Sequence, residues 1–98
     1  MNFEWDDNKE IINLKKHGMS FLETISIFED ENLIEEYDYS HSTWKEDRYK
    51  VIGYVKDVGM VVVIYQLVEE DLMRIISARH TTNTERRIYE KKNIFRRS

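Results

Sequence analysis

The 98-residue sequence has no cysteine, no proline and only three glycines. Without cysteine there are no disulfides, no thiolate metal ligands and no thiol nucleophile, and a reducing, cytoplasmic setting is permitted. No long apolar run is present either, and the longest, Met60 to Tyr65, is far too short to span a bilayer. Met1 to Glu10 lacks a basic segment leading into an apolar one, so neither export nor membrane insertion is expected. Also missing are a Gly-rich phosphate loop, two histidines at zinc-ligand spacing and a Gly-x-Ser-x-Gly elbow. Nucleotide hydrolysis, zinc catalysis and esterase chemistry therefore lack support, and no cofactor or metal is expected.

What is present suffices for one hydrophobic core. With 41% hydrophobic and 12% aromatic residues, the chain can offset the ordering cost of its backbone, and 98 residues suit a single domain spanning 1–98. The net charge of -4 argues at first against a polyanionic partner. Its distribution changes that reading: residues 1–47 sum to -9 and residues 48–98 to +5. Such asymmetry suits one phosphate-facing side and a second side for a basic partner, unless folding mixes the two halves in space.

Periodicity and punctuation outline the elements. Phe3 to Trp5 reads as a short strand, and Asp6 with Asp7 opens a helix that carries Lys15, Lys16 and His17 in its last turn and stops at Gly18. Ser20 and Glu23 have capping-box spacing ahead of Phe21, Ile25 and Phe28, which predicts a second short helix. Strands are expected at Leu33 to Tyr37, Arg48 to Val55, Met60 to Leu67 and Leu72 to Ser77, with a turn at Asp57 to Gly59. Strict alternation along the last strand places Leu72, Arg74 and Ile76 on one face and Met73, Ile75 and Ser77 on the other. Thr82 and Glu85 repeat the capping-box spacing before a final basic helix, about Asn83 to Ile94, and the tail Phe95 to Ser98 is expected to fray. This order implies a small α+β domain in which two N-terminal helices and one C-terminal helix pack on an antiparallel sheet of three to five strands.

The remaining reagents are three histidines, arginines and carboxylates. They suit general acid/base cleavage of RNA, in which the 2'-OH attacks its own phosphate while cations stabilise the developing charge. His17, beside Lys16, is either a proton carrier or a helix-terminal histidine stabilised by the dipole by roughly 0.3 to 1 kcal/mol. Trp5 is either core or a base-stacking platform. Arg74 and Arg79, within or beside a strand, need anions, which phosphate or a carboxylate can supply. From Arg74 onward there are 8 basic and 2 acidic residues, so Arg86, Arg87, Lys91 and Lys92 form either an RNA-facing surface or a solvated helix face. His80 is a candidate second proton carrier, Glu85 is a cap or a catalytic carboxylate, and His41 lies in a polar loop with nothing evident to orient it. The acidic residues between 29 and 47 lack metal-ligand spacing, which disfavours a metal-dependent nuclease.

Taken together, Phe3-Glu4-Trp5-Asp6, Lys9, Asn13, Lys16-His17-Gly18 and Phe21 resemble the N-terminal signature of the BrnT toxins. Arg48 to Gly53 resembles that family's arginine-led strand, and Arg74-Ile75-Ile76-Ser77-Ala78-Arg79 with Thr82, Glu85-Arg86 and Tyr89 resembles its C-terminal signature. His80-Thr81 departs from the pattern, standing where a basic residue and alanine are expected. The resemblance implies a RelE-like and barnase-like fold and a metal-independent endoribonuclease that inhibits translation and growth. It further implies neutralisation by a BrnA-type antitoxin with a ribbon-helix-helix domain, with DNA contacted only through that complex. His17, Lys16, Arg74, Arg79, His80 and Glu85 are the expected catalytic set, with Trp5, Arg48, Arg86 and Tyr89 binding RNA. The alternative is a non-catalytic binding module acting only as antitoxin partner and co-repressor.

Overall fold

Alternating Phe3 and Trp5 form the strand β1 (Asn2–Trp5), and Asp6 ends it by capping helix α1 (Asp7–His17). The Asp6 carboxylate accepts from the amides of Asn8 at 2.8 Å and Lys9 at 3.1 Å, satisfying two donors that a helix start leaves open. Gly18 stops α1 at φ 71°, a left-handed conformation open to glycine at little cost. The expected capping box at Ser20 and Glu23 is formed in full and starts helix α2 (Phe21–Thr24), which passes into a 3-10 helix (Ile25–Glu29). Four strands follow, β2 (Ile34–Tyr37), β3 (Asp47–Val55), β4 (Gly59–Glu69) and β5 (Leu72–His80), and then helix α3 (Asn83–Arg97). The computed structural model describes residues 1–97, with side chains described for 1–94. The tail Phe95 to Ser98, expected to fray, lies outside the fully described residues.

The described residues form one five-stranded sheet in the order β1-β5-β4-β3-β2. Strands β2 to β5 make the expected antiparallel meander, whereas β1 joins β5 in parallel, so the sheet is mixed. The direction of β1 has a local consequence. It covers the edge of β5 from Leu72 to Ile75, and α1 then continues along the same edge. There Asn13, buried at 6% exposure, takes over the ladder: its side chain donates to the Ala78 carbonyl at 2.9 Å and accepts from the Ala78 amide at 3.1 Å.

Each face of the sheet has its own cover. On one face Val51, Val61, Val63, Tyr65 and Ile75 pack with Met19, Phe21 and Ile27 from the α2 side, with Trp5 at the margin. A row of rings crosses this layer, from Phe3 through Phe28, Tyr65, Tyr49 and Tyr37 to Tyr39, with neighbouring centroids 4.7 to 5.6 Å apart. On the other face Ile34, Ile52 and Val62 pack with Tyr89 of α3. Val61, Val62 and Val63 are all fully buried, as a strand covered on both sides requires. Gly53 permits the close approach of the 3-10 helix, since a Cβ there would stand 2.7 Å from Ile27 Cγ1.

One expected orientation changes. A bulge between Ile64 and Tyr65 shifts the register, so that Tyr65 pairs with Ile75 but Ile64 pairs with Ser77. Ser77 therefore shares the face of Arg74 and Arg79, not that of Met73 and Ile75, because directly paired residues project to the same side. Simple alternation fails there because one residue of β5 has no opposite number.

Candidate functional site

Helix α3 covers only part of its face of the sheet. Beside it lies an open cleft of about 710 Å³, floored by Arg48, Lys50, Ile64, Ile76, Ser77 and Arg79 and walled by the segment from Glu36 to His41. The floor is cationic by strand geometry. Arg48 and Lys50 are two apart on β3 and so share a face, while Arg79 reaches the same face from β5 because it pairs with Val62, itself opposite Ile52.

Glu85, at the start of α3, fixes two of these cations. Its carboxylate accepts a parallel pair of hydrogen bonds from Arg79 Nη1 and Nη2, at 2.8 and 2.9 Å, and lies 2.6 Å from Lys50 Nζ. It also accepts from the Thr82 amide at 2.8 Å, and the Thr82 hydroxyl accepts from the Glu85 amide at 3.2 Å, which completes the expected capping box. The Arg79 hydrogen bonds outweigh burial and, with Lys50 and Thr82, hold the Glu85 carboxyl far below the usual carboxylate range. The same hydrogen bonds raise the pKa of Arg79 against the opposing effect of desolvation. With both oxygens occupied, Glu85 is suited to positioning cations rather than to moving a proton. Arg48 differs: it contacts Glu46 through Nη2 at 3.4 Å, while its buried Nε has no hydrogen-bond partner.

The wall is a loop closed on itself. Ser42 Oγ accepts from the Arg48 amide at 2.9 Å, the Asp38 amide donates to the Arg48 carbonyl at 2.8 Å, and Tyr37 donates its hydroxyl to Asp47 at 2.9 Å. At the rim His41 Nδ1 stands 2.9 Å from Asp38 Oδ2, and Ser40 donates to Asp38 Oδ1 at 3.0 Å. Desolvation works to raise the Asp38 pKa, but hydrogen bonds from Ser40 and His41 prevail and hold it below its ordinary value.

Of the residues singled out from the sequence, Arg48 and Arg79 line this cleft, with Glu85 directly behind Arg79. Arg74 lies on the same face but pairs with Glu4 at 3.5 Å near the opposite edge, outside the cleft lining. Lys16 and His17 occupy the last turn of α1, and His80 is exposed at the end of β5; none of the three lines the cleft. Trp5, half-buried, packs edge-on against Phe21 at 6.1 Å at the margin of the core, away from the cleft. Tyr89 donates to Asp30 at 2.8 Å and packs beneath α3, while Arg86 and Arg87 are exposed on that helix. Lys50 and His41 are the cleft residues that sequence reasoning passed over. Alternation from Arg48 was a signal that could have found the first, whereas no signal in the sequence oriented His41.

Residues 5–85 match the model of a family described as the ribonuclease toxin, BrnT, of type II toxin-antitoxin systems. The crystal structure of the Brucella abortus ribonuclease toxin, BrnT, has the same fold, with a TM-score of 0.63 at 23% sequence identity, covering 85% of this chain and 99% of that one. No curated protein matches the chain.

Proposed function

The chain belongs to the BrnT family of ribonuclease toxins of type II toxin-antitoxin systems, and from that premise we propose that it is an endoribonuclease that cuts RNA in the cleft beside α3. The observation that carries this reading is the convergence of Arg48, Lys50 and Arg79 on one concave surface, a spacing of cations suited to a ribose-phosphate strand. In this reading the cations hold the scissile phosphate and stabilise the charge that develops as the 2'-OH attacks it. RNA brings its own nucleophile, so no activated side-chain nucleophile is required.

The cut needs no metal. In this reading Arg48, Lys50 and Arg79 supply the positive charge that a metal would otherwise bring to the phosphate. The protein acts as one domain in the cytoplasm, where cleavage of RNA slows translation and growth. A BrnA-type antitoxin with a ribbon-helix-helix domain neutralises it, and that partner makes the DNA contacts of the complex.

Two assays test the reading together. Induced expression should arrest growth unless the neighbouring antitoxin is co-expressed, and purified protein should cut RNA undiminished in EDTA. Folded protein that binds the antitoxin and never cuts RNA would leave only a non-catalytic partner role. Loss of cutting on chelation would make the reaction metal-dependent.

A further inference from the structure

We propose that His41, oriented by Asp38, takes the 2'-hydroxyl proton when RNA held in this cleft is cut, an inference that rests on the ribonuclease reading above. Among the described residues, His41 is the histidine that both lines the cleft and pairs with a carboxylate. Its Nδ1 lies 2.9 Å from Asp38 Oδ2, and its backbone amide donates to Asp38 Oδ1 at 3.3 Å. Ser40 Oγ donates to the same Oδ1 at 3.0 Å and stands 3.1 Å from Nδ1.

These contacts define the tautomer. An ionised carboxylate only accepts, so Nδ1 carries the hydrogen and the lone pair of the neutral ring falls on Nε2. Nε2 is then the basic nitrogen, on a ring that is 67% exposed and open to substrate. Asp38 is fit for this task because its own hydrogen bonds keep it ionised. The charged groups around the cleft are Glu36 on β2, Arg48 and Lys50 on β3, Arg79 on β5 and Glu85 behind them on α3. The cations lie on the floor and the imidazole on the wall of one cleft, so a strand held by the first runs through the space that the second borders.

The step balances without a further reagent. Nε2 removes the proton of the 2'-OH, the O2'–P bond forms, and the P–O5' bond breaks with its electron pair on O5'. That oxygen takes a proton from water at the open mouth of the cleft. The products are a 2',3'-cyclic phosphate and a 5'-OH, and His41 returns its proton to solvent.

The His41 ring is exposed and adds little to stability, so His41→Ala should fold as the wild type does. Asp38 also holds the loop through Ser40 and the His41 amide, so the rates of Asp38→Asn are read on protein shown to be folded by circular dichroism. In single-turnover cleavage of an RNA oligonucleotide, His41→Ala should cut roughly 100-fold more slowly or worse. It should also lose the rise of rate with pH that a general base imposes, and added imidazole should restore part of the rate. Asp38→Asn, which disturbs positioning alone, should lose less and keep the rise. Affinity for a non-cleavable 2'-O-methyl oligonucleotide should hold in both. His41→Ala that cuts at the wild-type rate, or that loses affinity as much as rate, overturns the assignment and leaves the ribonuclease reading standing. Wild-type protein that does not cut overturns both.

Discussion

Arg79 and Glu85 meet across the turn between β5 and α3 in a parallel fork, with two N–H···O contacts of 2.8 and 2.9 Å. The carboxylate that positions this cleft cation also caps the helix through Thr82. The start of the last helix and the placement of a cleft cation therefore depend on the same side chain. A bidentate pair of this geometry is both stronger and more directional than a single contact.

Replacing Glu85 with glutamine keeps the shape and removes the charge, leaving Arg79 and Lys50 uncompensated. Breaking such a pair should lower stability by about 2 to 4 kcal/mol in urea denaturation. The pH dependence has a definite sign. The folded carboxyl lies below its ordinary value of 4.5, so its contribution is full above that pH and is lost as the pH falls below it. The gap between wild type and Glu85→Gln should accordingly narrow on acidification, and a gap constant with pH would show that ionisation of Glu85 is not what stabilises the fold.

Asn13→Ala should cost about 2 to 3 kcal/mol, since it strands both the amide and the carbonyl of Ala78 on a buried edge. Asn13→Asp should cost more, because a carboxylate cannot donate to the Ala78 and Met19 carbonyls that the amide nitrogen now serves. Oligonucleotide affinity measured on the folded fraction should not move in either variant. An alanine variant as stable as wild type would show that water satisfies this edge equally well.

The legible parts of the fold were those set by local chemistry. Asp6, Gly18, Ser20 with Glu23, and Thr82 with Glu85 each end or begin an element through contacts within a few residues, and every one is formed. The parallel placement of β1 and the bulge facing Ile64 were not legible, because both depend on strands distant in sequence. The site divides in the same way. Arg79 stood out as a cation beside an apolar strand and Arg48 through the family resemblance, yet only the register shows that they share a face with Lys50. His17 drew attention by its neighbours Lys15 and Lys16, whereas His41 gains a role only because the hydrogen-bonded loop turns it toward the cleft.

Arg48→Ala removes a cation whose guanidinium is only loosely held, by a 3.4 Å contact with Glu46. If Arg48 touches a phosphate, affinity for a single-stranded 2'-O-methyl oligonucleotide should fall. The slope of log K against log salt should also become shallower by about 0.7, the share of one phosphate. Arg74→Ala, outside the cleft and already paired with Glu4, should change neither value appreciably. Equal losses in the two variants would move the RNA path toward the β1 edge.

Arg79→Lys separates charge from geometry. Lysine keeps the positive charge but offers Glu85 no planar fork, so one of two parallel contacts is lost and the ammonium is free to turn away. Stability should fall by about 1 to 2 kcal/mol, less than a full deletion of the pair costs. The salt dependence of oligonucleotide binding should stay near wild type, because the number of phosphates neutralised is unchanged. Cleavage should nevertheless slow by at least about tenfold, since a cation displaced even slightly stabilises the transition state less than one fixed in place. Wild-type cleavage with reduced stability would confine the fork to holding α3, whereas a shallower salt slope would mean that the lysine no longer reaches the strand.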